Sequence, residues 1–87
     1  MKKFKDLKLG DVVYDCTGSG IWRNTIIKIT IDKYSVEFVT KDNTDSTFIF
    51  NVPNFFINSN IYLNGWHVYT TDLKRIITYL NENFWRS

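Results

Sequence analysis

Alternation of apolar and polar residues dominates the first half of the chain. In VVYDC, Val12, Tyr14 and Cys16 fall on one side and Val13 and Asp15 on the other, so a half-buried strand is predicted over about 11–16. TGSG then supplies two glycines able to take positive φ, and a tight turn follows. The β-branched run IWRNTIIKITI predicts a long strand over about 21–31. Its odd positions Thr25, Ile27, Ile29 and Ile31 make an apolar face, and Trp22, Asn24, Lys28 and Thr30 share the other. YSVEFV predicts a third strand over about 34–39, with Tyr34, Val36 and Phe38 opposed to Ser35 and Glu37. After the turn-forming TKDNTDS, TFIFNV predicts a fourth strand over about 46–52 with Phe48 and Phe50 inward. It should pair with the third as a hairpin.

Beyond Asn51 the pattern breaks. Pro53, several asparagines and Gly65 divide PNFFINSNIYLNGW into a loop with short extended pieces, in which Phe55, Phe56, Ile57, Ile61 and Leu63 still need burial. The NG pair at 64 and 65 should turn the chain into a last strand over about 66–70. Leu73, Ile76, Ile77, Leu80 and Phe84 then recur at helical spacing. A C-terminal helix is predicted over about 72–84, capped by Thr70 or Thr71, with Asp72 at the positive end of its dipole and Trp85 anchoring it on the sheet.

These elements fit one domain, because 87 residues and 10.3 kDa leave no room for two cores. The expected class is α+β: a small, strongly bent antiparallel sheet or barrel of four to five strands with one C-terminal helix. LKLGDVVY, the Gly-rich turn and then IIKI resemble the first two strands of small SH3-like barrels, including KOW-type modules. The ending HVYTTDLKRIITYL is similar to the strand-then-helix finish of short bacterial and phage proteins. The resemblance covers about half the chain and implies a non-catalytic module that binds protein or nucleic acid through loops and one sheet face.

Composition narrows the classes further. At 44% hydrophobic and 23% charged, the chain is too apolar for a disordered tail and too interrupted for a membrane span. The lysine-rich start has no apolar stretch of signal-peptide length after it, so a cytoplasmic protein with no membrane partner is expected. The single Cys16 forms no internal disulfide and reads as a buried thiol. Frequent Ile, Asn, Lys, Phe and Tyr with no Ala reflect an AT-rich genome and fit a phage or mobile-element accessory protein, for instance one that blocks a host system.

Groups for chemistry are few. Cys16 and His67 are the one nucleophile–base pair available, and no third group is suggested to orient them. TGSG lacks a Gly-Lys-Ser/Thr ending and precedes a strand, so it is no phosphate loop. Asp42, Asn43 and Asp45 lack the downstream bidentate Glu of a calcium loop. No catalytic residue, metal site or small-molecule cofactor is therefore expected. Three tryptophans and five tyrosines, by contrast, are residues that anchor interfaces. The candidate binding residues are Trp22, Arg23, Lys28, Tyr62, Trp66 and His67. A protein partner or self-association is the expected function. The alternative is a nucleic-acid-binding module in which Trp22, Arg23, Lys28 and Lys33 stack on bases and meet phosphates.

Overall fold

The computed structural model describes residues 2–75, 77 and 78. Six strands form one sheet: β1 Val12–Thr17, β2 Gly20–Ile31, β3 Ser35–Lys41, β4 Thr47–Pro53, β5 Ile61–Asn64 and β6 His67–Thr70. All neighbours are antiparallel, in the order β4-β3-β2-β1-β6-β5. The sheet curls into a half-barrel, so the fold is mostly β. Phe50 of β4 and Tyr69 of β6 are four strands apart in that order, with β3, β2 and β1 between them. Their rings nevertheless stack across the interior, with centroids 4.1 Å apart and planes at 7°.

A β-bulge sets part of the curl. Between Ile26 and Lys28 the register of β2 against β3 shifts by one, so Ile27 is an extra residue. Ile26 therefore faces the core before the bulge and Ile29 packs against it afterwards. This corrects the single odd-numbered apolar face expected for β2, since Ile27 is exposed and Ile31 is 81% exposed. On β1 the two faces divide as the alternation predicts, with Val13 in the main core and Val12 and Tyr14 half-buried on the other side. The β3–β4 hairpin forms as expected, with Val36, Phe38, Phe50 and Val52 buried, but Phe48, expected inward beside Phe50, is 47% exposed because it lies near the open edge of the sheet. Asp42 Oδ1 accepts hydrogen bonds from Thr44 N–H, Thr44 Oγ1 and Ser46 N–H, so that carboxylate is occupied in shaping the turn.

The segment that resisted division carries the chain from one sheet edge to the other. A 3-10 turn, Asn54–Phe56, follows β4, and the crossing backbone is then tied to a second 3-10 turn, Phe4–Asp6. Phe4 N–H donates to Ser59 O at 3.0 Å and Lys5 N–H to Ile57 O at 2.9 Å. Those bonds hold Phe4 and Leu7 in the core as a plug at one end of the half-barrel. Ile57 packs against them, while Phe55 and Phe56 are exposed, contrary to expectation. Beside the plug, Asp11 accepts from Lys2 Nζ and Lys8 N–H, each at 2.8 Å. The Lys2 bond foremost holds its carboxyl below the usual range.

Residues 73–75 and 77–78 are helical, entered through Asp72, whose Oδ1 accepts from Lys74 N–H. The rest of the predicted helix, including Ile76, Leu80 and Phe84, lies outside the described residues, as does Trp85. Leu73 and Ile77 are both more than a third exposed, so these two members of the predicted stripe are not buried.

Truncating the plug tests this architecture. Phe4→Ala should cost about 3–5 kcal/mol in urea unfolding, and a loss below about 1 kcal/mol would show that the N-terminal turn does not close the core. Because the Asp11 carboxyl sits below its ordinary range in the fold, its contribution is present above that range and disappears as acid protonates it. Asp11→Asn should lower the urea midpoint at pH 7 and flatten its decline toward pH 3.

Candidate protein-binding surface

β2 outruns β3. Lys41, the last residue of β3, pairs with Thr25, so Gly20–Asn24 has β1 on one side and no strand on the other. The β1–β2 and β5–β6 turns lie at the same end, because Cys16 pairs with Val68. A four-stranded end therefore projects beyond the β3–β4 hairpin. The β5–β6 turn is Gly65–Trp66, one residue later than the expected NG pair. Gly65, with φ +59°, holds the first central position, which a type II′ turn reserves for glycine. Trp66 is thereby placed at the tip, 89% exposed.

On the concave side of this end one row runs across four strands. Trp22 faces Asp15, Asp15 faces Tyr69, and Tyr69 faces Tyr62. Cross-strand partners share a face, so four side chains converge that the sequence scatters over 55 residues. The Trp22 ring folds back over Gly20, where an added Cβ would lie 3.6 Å from Trp22 Cη2. His67 Nδ1 lies 2.9 and 3.1 Å from the two oxygens of Asp15. Facing a carboxylate, Nδ1 acts as the donor, which leaves Nε2 as the atom able to meet a partner. The imidazole also stacks on Tyr69, centroids 5.5 Å apart and planes at 5°. His67, Tyr69 and Phe50 thus form one pile of nearly parallel rings from the projecting end into the core. Between Trp22 and Ile26, Asn24 is buried with its Oδ1 unpartnered.

The convex side carries a different row: Ile21, Cys16, Val68 and Leu63 in register. Cys16 and Val68 are buried with Ile61 against them, while Ile21 and Leu63 are exposed. Burial first, and the Asp15 charge second, push the Cys16 thiol up, so it is protonated and unreactive at neutral pH. Cys16 and His67 stand on opposite faces of the sheet and form no pair.

Of the residues singled out from sequence, Trp22, Tyr62 and His67 share the concave side, and Trp66 caps the turn beside them. Arg23 lies on the convex face opposite Tyr14. Lys28 is also convex, past the bulge and opposite Val39. The basic and aromatic residues of β2 are therefore separated by the sheet. Asp15 and Tyr69 were missed as site residues. The signal available was their alternation: Asp15 is two residues from core Val13, and Tyr69 is two from His67, which puts each on the concave side.

No protein-family model matches the chain, and no curated protein or solved structure matches it either. Among the described residues no helix is long and apolar enough to cross a membrane.

Tyr69 gives the site a measurable pH response. Desolvation, then the charge of Asp15 and the neighbouring Tyr62, push its phenol up to about 12. The fold thus favours the neutral phenol, and that stability is complete below the ordinary tyrosine range near pH 10 and lost as pH rises toward 12. The urea midpoint should fall across that window, and Tyr69→Phe should flatten the fall. An identical alkaline profile for the variant would contradict the assignment.

Proposed function

We propose that this protein is a small non-catalytic module that binds another protein through its projecting end. The observation that carries the reading is the pair of tryptophans there: Trp66 is 89% exposed on a two-residue turn, and Trp22 is 40% exposed on β2 at the same end. Large aromatics held on short, hydrogen-bonded elements lose little entropy on contact and are the side chains that dominate interface energies. Ile21 and Leu63 add exposed apolar side chains on the convex face of the same end, one on each of its outer strands. The His67–Asp15 pair adds a directional polar group at its centre.

A nucleic-acid role is less well supported. Stacking on single strands needs cations beside the exposed rings, yet Arg23 and Lys28 face away from Trp22, and Asp15 occupies the concave row. An SH3-like or KOW-like identity adds no argument of its own, since fold does not select between the two partners.

Site-specific photo-crosslinking in the native cell tests the proposal. A photoreactive residue replacing Trp66 should give discrete protein adducts, whereas one replacing Lys28 should not. Trp22→Ala should weaken the captured complex by about 30-fold or more, in keeping with an interface anchor. Adducts to nucleic acid at Trp66, with affinity for oligonucleotides falling steeply as salt rises, would overturn the reading.

A further inference from the structure

The half-barrel does not close, and its two outer edges are treated differently. Antiparallel pairs alternate between those that exchange backbone hydrogen bonds and those that do not. At the ends of the β3–β4 hairpin, Asp42 N–H donates to Ser46 O and Asn54 N–H to Tyr34 O. Both bonds fix the same parity, so Phe48, Phe50 and Val52 bond to β3 while Thr47, Ile49, Asn51 and Pro53 turn their backbone groups outward. On β5 the Thr71 N–H bond to Asn60 O fixes the parity that turns Ile61 and Leu63 outward. Ser59 Oγ accepts from Ile61 N–H and donates to Ile61 O, at 3.2 and 2.9 Å, so that edge is shut at its first position. β4 has no such cover among the described residues, and no charged side chain lies along Thr47–Pro53.

From this edge we infer that the protein self-associates: two copies pair β4 against β4, antiparallel about a two-fold axis at Ile49, into one continuous sheet. The register follows from the donors. Thr47, Ile49 and Asn51 are symmetric about Ile49, so Ile49 meets Ile49 and Thr47 meets Asn51 of the other copy. The next position sets Pro53, which has no N–H, opposite Asp45, whose N–H is already given to Asp42 O and whose φ of +64° ends the strand. No outward donor is left over at either end. On the concave side the same register brings Phe48, 47% exposed, against Phe50 of the second copy; on the convex side the two Ile49 side chains, 63% exposed, meet each other.

The area suffices for a modest dimer. A seven-residue strand is about 23 Å long and its edge about 10 Å deep; with the flanks of Phe48 and Ile49, pairing removes roughly 400–500 Å² per copy. A total near 1,000 Å² is at the lower limit for a specific interface. This surface is separate from the projecting end, so the two proposals fail independently.

Sedimentation equilibrium of the full chain from about 1 μM to about 1 mM, with amide exchange at both extremes, decides the matter. The expected result is a monomer–dimer equilibrium in which the amides of Thr47, Ile49 and Asn51 become protected as concentration rises. Those of Phe48, Phe50 and Val52 should be protected throughout. Ile49→Lys sets like charges face to face and should weaken the dimer at least tenfold. Ile49→Pro removes only an outward N–H and should do the same, so misfolding of one variant leaves the other to decide. Trp66→Ala should leave the equilibrium unchanged. A monomer at all concentrations, a dimer that tolerates both Ile49 variants, or a dimer with the three outward amides unprotected would overturn the inference.

Discussion

The stacking of Phe50 on Tyr69 is the contact on which the rest of the molecule depends. A six-stranded sheet of this length buries little unless it bends, and bending is stable only if apolar groups from distant strands meet inside the curve. Phe50 and Tyr69 make that meeting, with Phe38 stacked on the outer side of Phe50 and His67 on the outer side of Tyr69. The bulge at Ile27 gives β2 the extra residue and local twist that a curled sheet needs. Phe4 and Leu7, delivered by the N-terminal turn, fill the end that the curl leaves open. The same ring pile that closes the core also fixes the imidazole of His67, so rigidity in the interior becomes orientation at the surface.

Much of the sheet was legible because its signals were local. YSVEFV, TKDNTDS and TFIFNV each state their role within six or seven residues, and the third and fourth strands pair as they suggest. β2 misled because isoleucine stands on both sides of the bulge, so NTIIKITI reads equally well in either register. β5 was hidden by its length and by the asparagines around it; IYLN becomes a strand only because Thr70 and Tyr69 are there to receive it. The crossing segment before it is ordered by backbone bonds to residues more than fifty positions away, which no pattern in the segment could announce.

The site was legible by residue type but not by arrangement. Trp22, Tyr62, Trp66 and His67 are conspicuous in any inventory, and the fold gathers them at one end. Arg23 adjoins Trp22 only in sequence, and Lys28 shares the strand parity of Trp22 only if β2 runs without a bulge. In a strand the next residue points the other way, and the bulge settles the side for Lys28. Asp15 is, in the sequence, one polar position of an alternating strand. Its significance comes from His67, which reaches it only through the β1–β6 pairing.

The Ser59 hydroxyl has a consequence for how large an assembly of this chain can grow. A sheet with one open edge can be extended once, after which its free ends are both shut; a sheet with two open edges adds subunits without limit. By satisfying both backbone groups of Ile61, one small side chain leaves Leu63 as the one outward residue of β5 still open, too short a run to seat a second strand. Its loss would lengthen the open run on that edge and favour end-to-end growth of the sheet, with no change in the core.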